Sequence, residues 1–199
     1  MNLNLAMDAP PTSIEVGGTA YPVNIDFRVW IQITEKLLDI VPEPDSIEEI
    51  SANLKIIYDI EELAFGGILE DEEISDTMDG IMEFAKGYQD EESDGTGSDG
   101  PQLVSLSHDI NYLILAIRNQ SGIDLSYRRT EPFHWWLFLT EVKSLCGDHY
   151  ILKLAEIRGY KGKDKEMLRL KSKLALPTRE STHYGQDVID DINAEFYGA

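Results

Sequence analysis

The chain is poor in cysteine and poor in positive charge. Its 199 residues include one cysteine, Cys146, so no intramolecular disulfide can staple the fold. Basic residues number 17 against 37 acidic ones, a net charge of −20. A surface of that sign repels phosphate, which disfavours nonspecific binding to nucleic acid or to anionic membranes. No apolar run approaches the ~18–20 residues that span a bilayer. The first residues, MNLNLAMDAPP, lack the basic and continuous apolar regions of a signal peptide, so a soluble, intracellular protein is the expectation. His108, His134, His149 and His183 fall at no zinc-ligand spacing and have no paired cysteine. Gly17-Gly18, Gly66-Gly67 and the GTGSDG run from Gly95 match neither a phosphate-binding loop nor a dinucleotide fingerprint, and no GxSxG occurs. Carboxylates this abundant single out no acid–base pair. Cys146, with only Lys143 and His149 as nearby cues, reads as a buried structural thiol. No catalytic, cofactor or metal site is expected, and the chain is not expected to be an enzyme.

What is present is enough apolar material, 42% of residues, for one core or two small lobes. Residues 13–25 alternate with period two around Gly17-Gly18, which predicts a hairpin with Ile14 opposite Tyr21 and Val16 opposite Thr19. Pro22 marks an edge strand. From Asp26 the period becomes helical. Phe27, Trp30, Ile31, Leu37, Leu38 and Val41 form one stripe, capped by Asp26 and stopped by Pro42 and Pro44. Ser46 with Glu49 is a capping box, and Ile47, Ile50, Leu54, Ile57 and Tyr58 are the expected inward stripe of the helix that Gly66-Gly67 ends. A third helix is predicted over 71–88, on Ile74, Met78, Ile81, Met82, Ala85 and Tyr88. Residues 89–102 hold no large apolar side chain and read as a flexible acidic linker or loop without the ligand spacing of a calcium loop.

Beyond the linker, Leu103, Leu106, Ile110, Leu113, Ile114 and Ile117 predict a helix capped by Ser105 or Ser107 and ended near Gly122. Residues 133–146, FHWWLFLTEVKSLC, are apolar nearly all round and belong in a core or an interface. Short helices follow at 149–158 and 163–175, then an acidic tail at 178–199 with a short helix at 186–197. The organisation expected is hairpin plus helices at 13–88, the linker, a helical region at 103–177 with a basic last helix, and the tail. The class is mainly α: a multi-helix domain with a small N-terminal β-hairpin.

Charge is segregated. Residues 1–125 carry 5 basic and 26 acidic residues, whereas Lys153 to Arg179 carry 9 basic and 3 acidic ones. Such asymmetry can steer self-association, with Lys165, Arg169 and Lys173 as candidate contacts. Adjacent helical positions point ~100° apart, so Trp135 and Trp136 cannot share a pocket. Trp135 sits on the longer stripe and is assigned to the core. Trp136, with Phe133, is the candidate surface for a client or a subunit.

The hairpin leading into Tyr21 and Asp26-Phe27-Arg28, then Asp109-Ile110, Ile123-Asp124-Leu125, His134-Trp135-Trp136 with Phe138, and Ile157-Arg158 before a Lys-rich helix occur in an order that resembles a bacteriophage protein family. It is the family named for gene product fifteen, of tailed phages and prophages of Gram-positive hosts. The resemblance runs from about residue 13 to 176; the loop at 90–102 and the tail depart from it. It implies a tail assembly chaperone that binds the long helical tape measure protein and keeps it soluble. The tail tube subunit is a second implied partner. Such a protein acts in the host cytoplasm and is absent from the finished virion. The competing readings are an acidic DNA mimic that inhibits a host enzyme, resting on net charge alone, and a structural head–tail connector.

Overall fold

The computed structural model describes residues 8–87 and 102–177. Tyr88, the linker at 89–102 apart from Gln102, and the tail with its helix at 186–197 lie outside the described residues. Seven helices and one two-stranded antiparallel sheet make up the described chain, 54% of it helical. The class is mainly α with an N-terminal hairpin. Two compact units are present: residues 8–87 with 132–138, and residues 102–131 with 139–177. Among the described residues no helix is long and apolar enough to cross a membrane.

The first unit begins with strands β1 (Ser13–Val16) and β2 (Thr19–Pro22), joined through Gly17 and Gly18 at φ 55° and 84°. The register is the predicted one, Ile14 against Tyr21 and Val16 against Thr19. Ile14 and Val16 turn inward and are buried against helix α3 (Ile74–Lys86). Gly80 makes that approach possible. A Cβ there would stand 2.6 Å from the Ile14 Cγ2 methyl and 3.3 Å from the Glu15 carbonyl oxygen. Alanine normally favours a helix interior over glycine by about 1 kcal/mol. Here the clash with a buried β-branched side chain reverses the sign, and Gly80→Ala is expected to lower unfolding free energy by about 1–3 kcal/mol in chemical denaturation.

Helix α1 (Phe27–Leu37) starts as predicted, with the Asp26 carboxylate accepting the Arg28 N–H at 2.9 Å. It ends earlier than the periodicity through Val41 suggested. Asp39 and Ile40 donate to the carbonyls of Lys36 and Leu37, so the chain tightens into i→i+3 turns before Pro42 is reached. Helix α2 (Ile47–Phe65) has the capping box: the Glu49 N–H reaches the Ser46 hydroxyl at 3.2 Å, while the Glu49 carboxylate accepts from Asp45 rather than from Ser46.

The expected inward stripe of α2 is overturned. Ile47 is 81% exposed and Ile50 47%, Tyr58 is exposed, and Leu54 and Ile57 are only half-buried. The buried residues are Asn53, Ile60, Glu61 and Ala64. Two of these are polar because they serve loops. The Asn53 amide accepts the Val41 N–H at 3.0 Å and donates to the Val41 carbonyl at 2.7 Å, and Glu61 accepts the Leu69 N–H at 3.2 Å. Burial raises the Glu61 carboxyl above its ordinary range, against the opposing effect of that N–H.

The unit's core is aromatic. Chain segment 132–138 enters beside the start of α1, where the Phe27 N–H donates to the Phe133 carbonyl at 2.9 Å and the Trp135 N–H to the Ile25 carbonyl at 2.8 Å. Phe27 stacks on Phe138 at 4.6 Å, and Trp30 lies 4.5 Å from Phe84, a core residue absent from the predicted stripe. Phe84 and Ala85 fall in the last turn of α3, where carbonyls lack i+4 partners, although the Gly87 N–H reaches the Phe84 carbonyl at 3.1 Å. The Trp136 indole donates to the first of these carbonyls and the Trp135 indole to the second, each at 2.9 Å. Two tryptophans ~100° apart can both engage α3 because consecutive carbonyls, both aimed toward its C-terminus, sit ~100° apart around its axis.

Helix α5 (Trp135–Lys143) opens on His134, which is buried. Its Nδ1 accepts the Trp136 N–H at 3.0 Å, which leaves Nε2 to donate to the Pro11 carbonyl 2.8 Å away. Burial holds its pKa below the ordinary histidine value, the Pro11 contact opposing. The unfolded chain therefore takes up a proton more readily than the folded one. The stability this confers is present above about pH 6.5 and is lost as pH falls through the lower folded value. Denaturation at pH 7.5 and 5.5 is expected to show that loss in the native sequence and a smaller one in His134→Gln.

The second unit departs from prediction at its start. Leu103, Val104 and Leu106 are buried, but helix α4 (Ile110–Ser121) begins only at Ile110, with Asp109 as N-cap. The Ser105 hydroxyl does accept a backbone N–H, that of His108 at 3.1 Å, closing a separate turn before α4. Asp109, 1% exposed, turns its carboxylate back to the Ser105 N–H at 2.9 Å. It also meets Arg158 in a two-pronged pair at 2.6 and 3.0 Å. Arg158, on helix α6 (Tyr150–Gly159), further donates to the Leu103 carbonyl at 2.7 Å and the Leu174 carbonyl at 2.8 Å. One guanidinium thus ties α4, α6, the approach to α4 and the end of helix α7 (Lys165–Leu174). Gly122 caps α4 at φ 77°, as its position predicted. Cys146 is exposed, against the expectation of a buried thiol: its N–H donates to the Gln120 side chain at 3.0 Å in a surface loop.

Candidate functional site

Among the described residues no group of three or more His, Cys, Asp or Glu side chains could hold a metal ion. The features that stand out are surfaces. On α2, Ile47, Leu54 and Tyr58 lie within about 40° of one another around the axis, with Ile50 at their edge, and run about 16 Å along it. The inward face of the same helix carries Asn53, Ile57, Ile60 and Ala64 at a second i, i+4, i+7, i+11 spacing. α2 therefore has two apolar edges and only one is covered. Glu48, Lys55 and Glu62 flank the open one, and Asp59 is tied to Lys36 at 2.8 Å, which lowers its carboxyl pKa. The described part of this unit holds four basic residues against nineteen acidic ones. The open stripe is thus an apolar strip in a strongly anionic surround.

The second unit exposes a smaller group, Tyr112 and Leu115 on α4 with Tyr150 on α6, the two tyrosine rings 4.9 Å apart. Its α7 has no buried residue. Asp164 caps it by accepting the Glu166 and Met167 N–H groups. Met167, Lys171 and Leu174 are half-buried on one side, and Lys171 donates to the Tyr160 carbonyl at 2.8 Å.

The predicted site residues divide by burial. Trp136 is 9% exposed, and its indole and ring are engaged by Phe84, so it is a core residue of the first unit and not a surface one. Phe133 is half-buried with its ring edge on Phe27. Lys165, Arg169 and Lys173 are all exposed along one face of α7. Phe133 and Trp136 belong to the first unit and the three basic residues to the second. The outward α2 residues were visible in sequence but read as inward, because periodicity identifies an apolar face and not what covers it. The second spacing on 53, 57, 60 and 64 was the signal that α2 has two faces to satisfy.

The described chain is an α-rich fold with an N-terminal hairpin and an apolar helix edge left open on an acidic unit. The family model for Bacteriophage Gp15 protein matches residues 7–176, and the chain belongs to that family. No curated protein and no solved structure matches it.

Proposed function

We propose that the chain is a tail assembly chaperone that holds the tape measure protein in solution, without catalysis or cofactor, in the host cytoplasm and outside the mature particle. The observation that carries this reading is the open stripe of α2 in a member of this bacteriophage family. An amphipathic client helix laid along Ile47, Ile50, Leu54 and Tyr58 gains apolar contact at i, i+3, i+7 and i+11, the spacing by which helices read one another. Covering Ile47 and Ile50 contributes about 2–4 kcal/mol before ordering costs. Net charge far from zero then keeps the loaded complex from collapsing onto its neighbours. A phosphate mimic would present carboxylates without an apolar strip among them, so the stripe favours a polypeptide client over the inhibitor reading. Assistance to the tail tube subunit is a further part of the proposed role.

The test is co-expression with a phage tape measure protein, a very long helical chain, as the client. The expected result is a client that is insoluble alone, soluble with the chaperone and co-purified with it. Purified particles should lack the chaperone. A client whose solubility is unchanged, or a chaperone retained in particles, contradicts the reading.

A further inference from the structure

We infer that copies of this chain associate head to tail, the basic face of α7 on one copy lying against the acidic face of α3 on the next. Lys165, Arg169 and Lys173 follow one another at i, i+4 and i+8, about 6 Å apart along the axis, and all three are exposed. They lie opposite Met167, Lys171 and Leu174, the side on which α7 meets its own unit. None of the three forms an ion pair with an acid among the described residues. Leu168 and Leu170, at the margins of this face, are also exposed.

The surface that matches is on the other unit. Asp76, Asp79 and Glu83 on α3 are exposed and recur at i, i+3 and i+7, opposite the buried Met78, Ile81 and Ala85. Both charged faces are about 10–12 Å long, so three cations meet three anions along one pair of helices. No basic residue falls between Lys55 and Lys86, so the acidic face has no cation of its own in that stretch of sequence. The occupant of the α7 face is therefore a second copy of this chain, which carries the opposite charge along a helix face of similar length. Donor and acceptor faces differ, so each copy keeps one of each free and the contact can repeat.

Exposed ion pairs are individually weak and screened by salt, so the contact strengthens at low ionic strength and when copies are held side by side. It does not depend on the client, and its failure would leave the chaperone reading standing.

Analytical ultracentrifugation of the full chain at about 20 mM and about 500 mM salt tests it. Concentration-dependent assembly is expected at low salt and its loss at high salt. Lys165→Glu/Arg169→Glu/Lys173→Glu and, separately, Asp76→Lys/Asp79→Lys/Glu83→Lys should each weaken assembly by at least about tenfold. An equimolar mixture of the two variants should restore it, because each then presents the charge the other needs. Circular dichroism confirms that both are folded, and single reversals at Arg169 and Asp79 serve if either triple variant is not. A native chain that stays monomeric at low salt, assembly indifferent to reversal, or a mixture that fails to recover would overturn the inference.

Discussion

Replacing Arg158 with alanine is expected to destabilise the second unit by about 3–5 kcal/mol, a large share of the total stability of an ordinary domain. The cause is what remains. The Asp109 carboxyl, 1% exposed, would be left with only the Ser105 N–H to meet it, and the Leu103 and Leu174 carbonyls would each lose a donor. Removing one partner of a buried pair costs far more than the pair contributes relative to apolar neighbours. Arg158→Met combined with Asp109→Leu should therefore be less damaging than the two single changes summed. A double-mutant cycle by urea denaturation measures that coupling. Hydrogen exchange should place the damage in 103–117 and 150–174, the segments that Arg158 joins.

The second large effect concerns binding with little change in stability. Ile47→Asp with Ile50→Asp is expected to reduce client capture by about 30-fold or more, the equivalent of the 2–4 kcal/mol that covering these two side chains contributes. Both are exposed, so the fold loses little packing, and an acid in the first turn of α2 is favourable to the helix dipole. Retained thermal stability with lost co-purification is the expected pattern. Trp136→Ala should show the reverse order of effects: it removes a side-chain donor to the Phe84 carbonyl and opens a core cavity, so stability falls first.

How far an interaction reaches along the chain decides whether it is legible in sequence. Asp26, Ser46 and Gly122 were legible as caps because a cap is satisfied within two to four residues of itself. The hairpin register followed from Gly17-Gly18 for the same reason. Arg158 and Asp109 lie 49 residues apart, and neither alone signals a buried charge. Asn53 and Glu61 look like solvent-facing residues until the Val41 and Leu69 backbone groups they serve are known. Once those two polar side chains turn inward, α2 must rotate, and Ile47, Ile50 and Tyr58 are carried outward. Trp136 is the complementary case: it lies off the main stripe of α5, yet it is buried because the end of α3 supplies a carbonyl for its indole.

The most direct measurement is hydrogen exchange of the full chain with and without the co-expressed tape measure protein, read peptide by peptide. Slowed exchange across residues 47–58 in the complex is the predicted outcome. A stable complex in which those residues exchange as they do in the free protein would contradict the placement of the client on α2, and the absence of any complex would contradict the holding role itself.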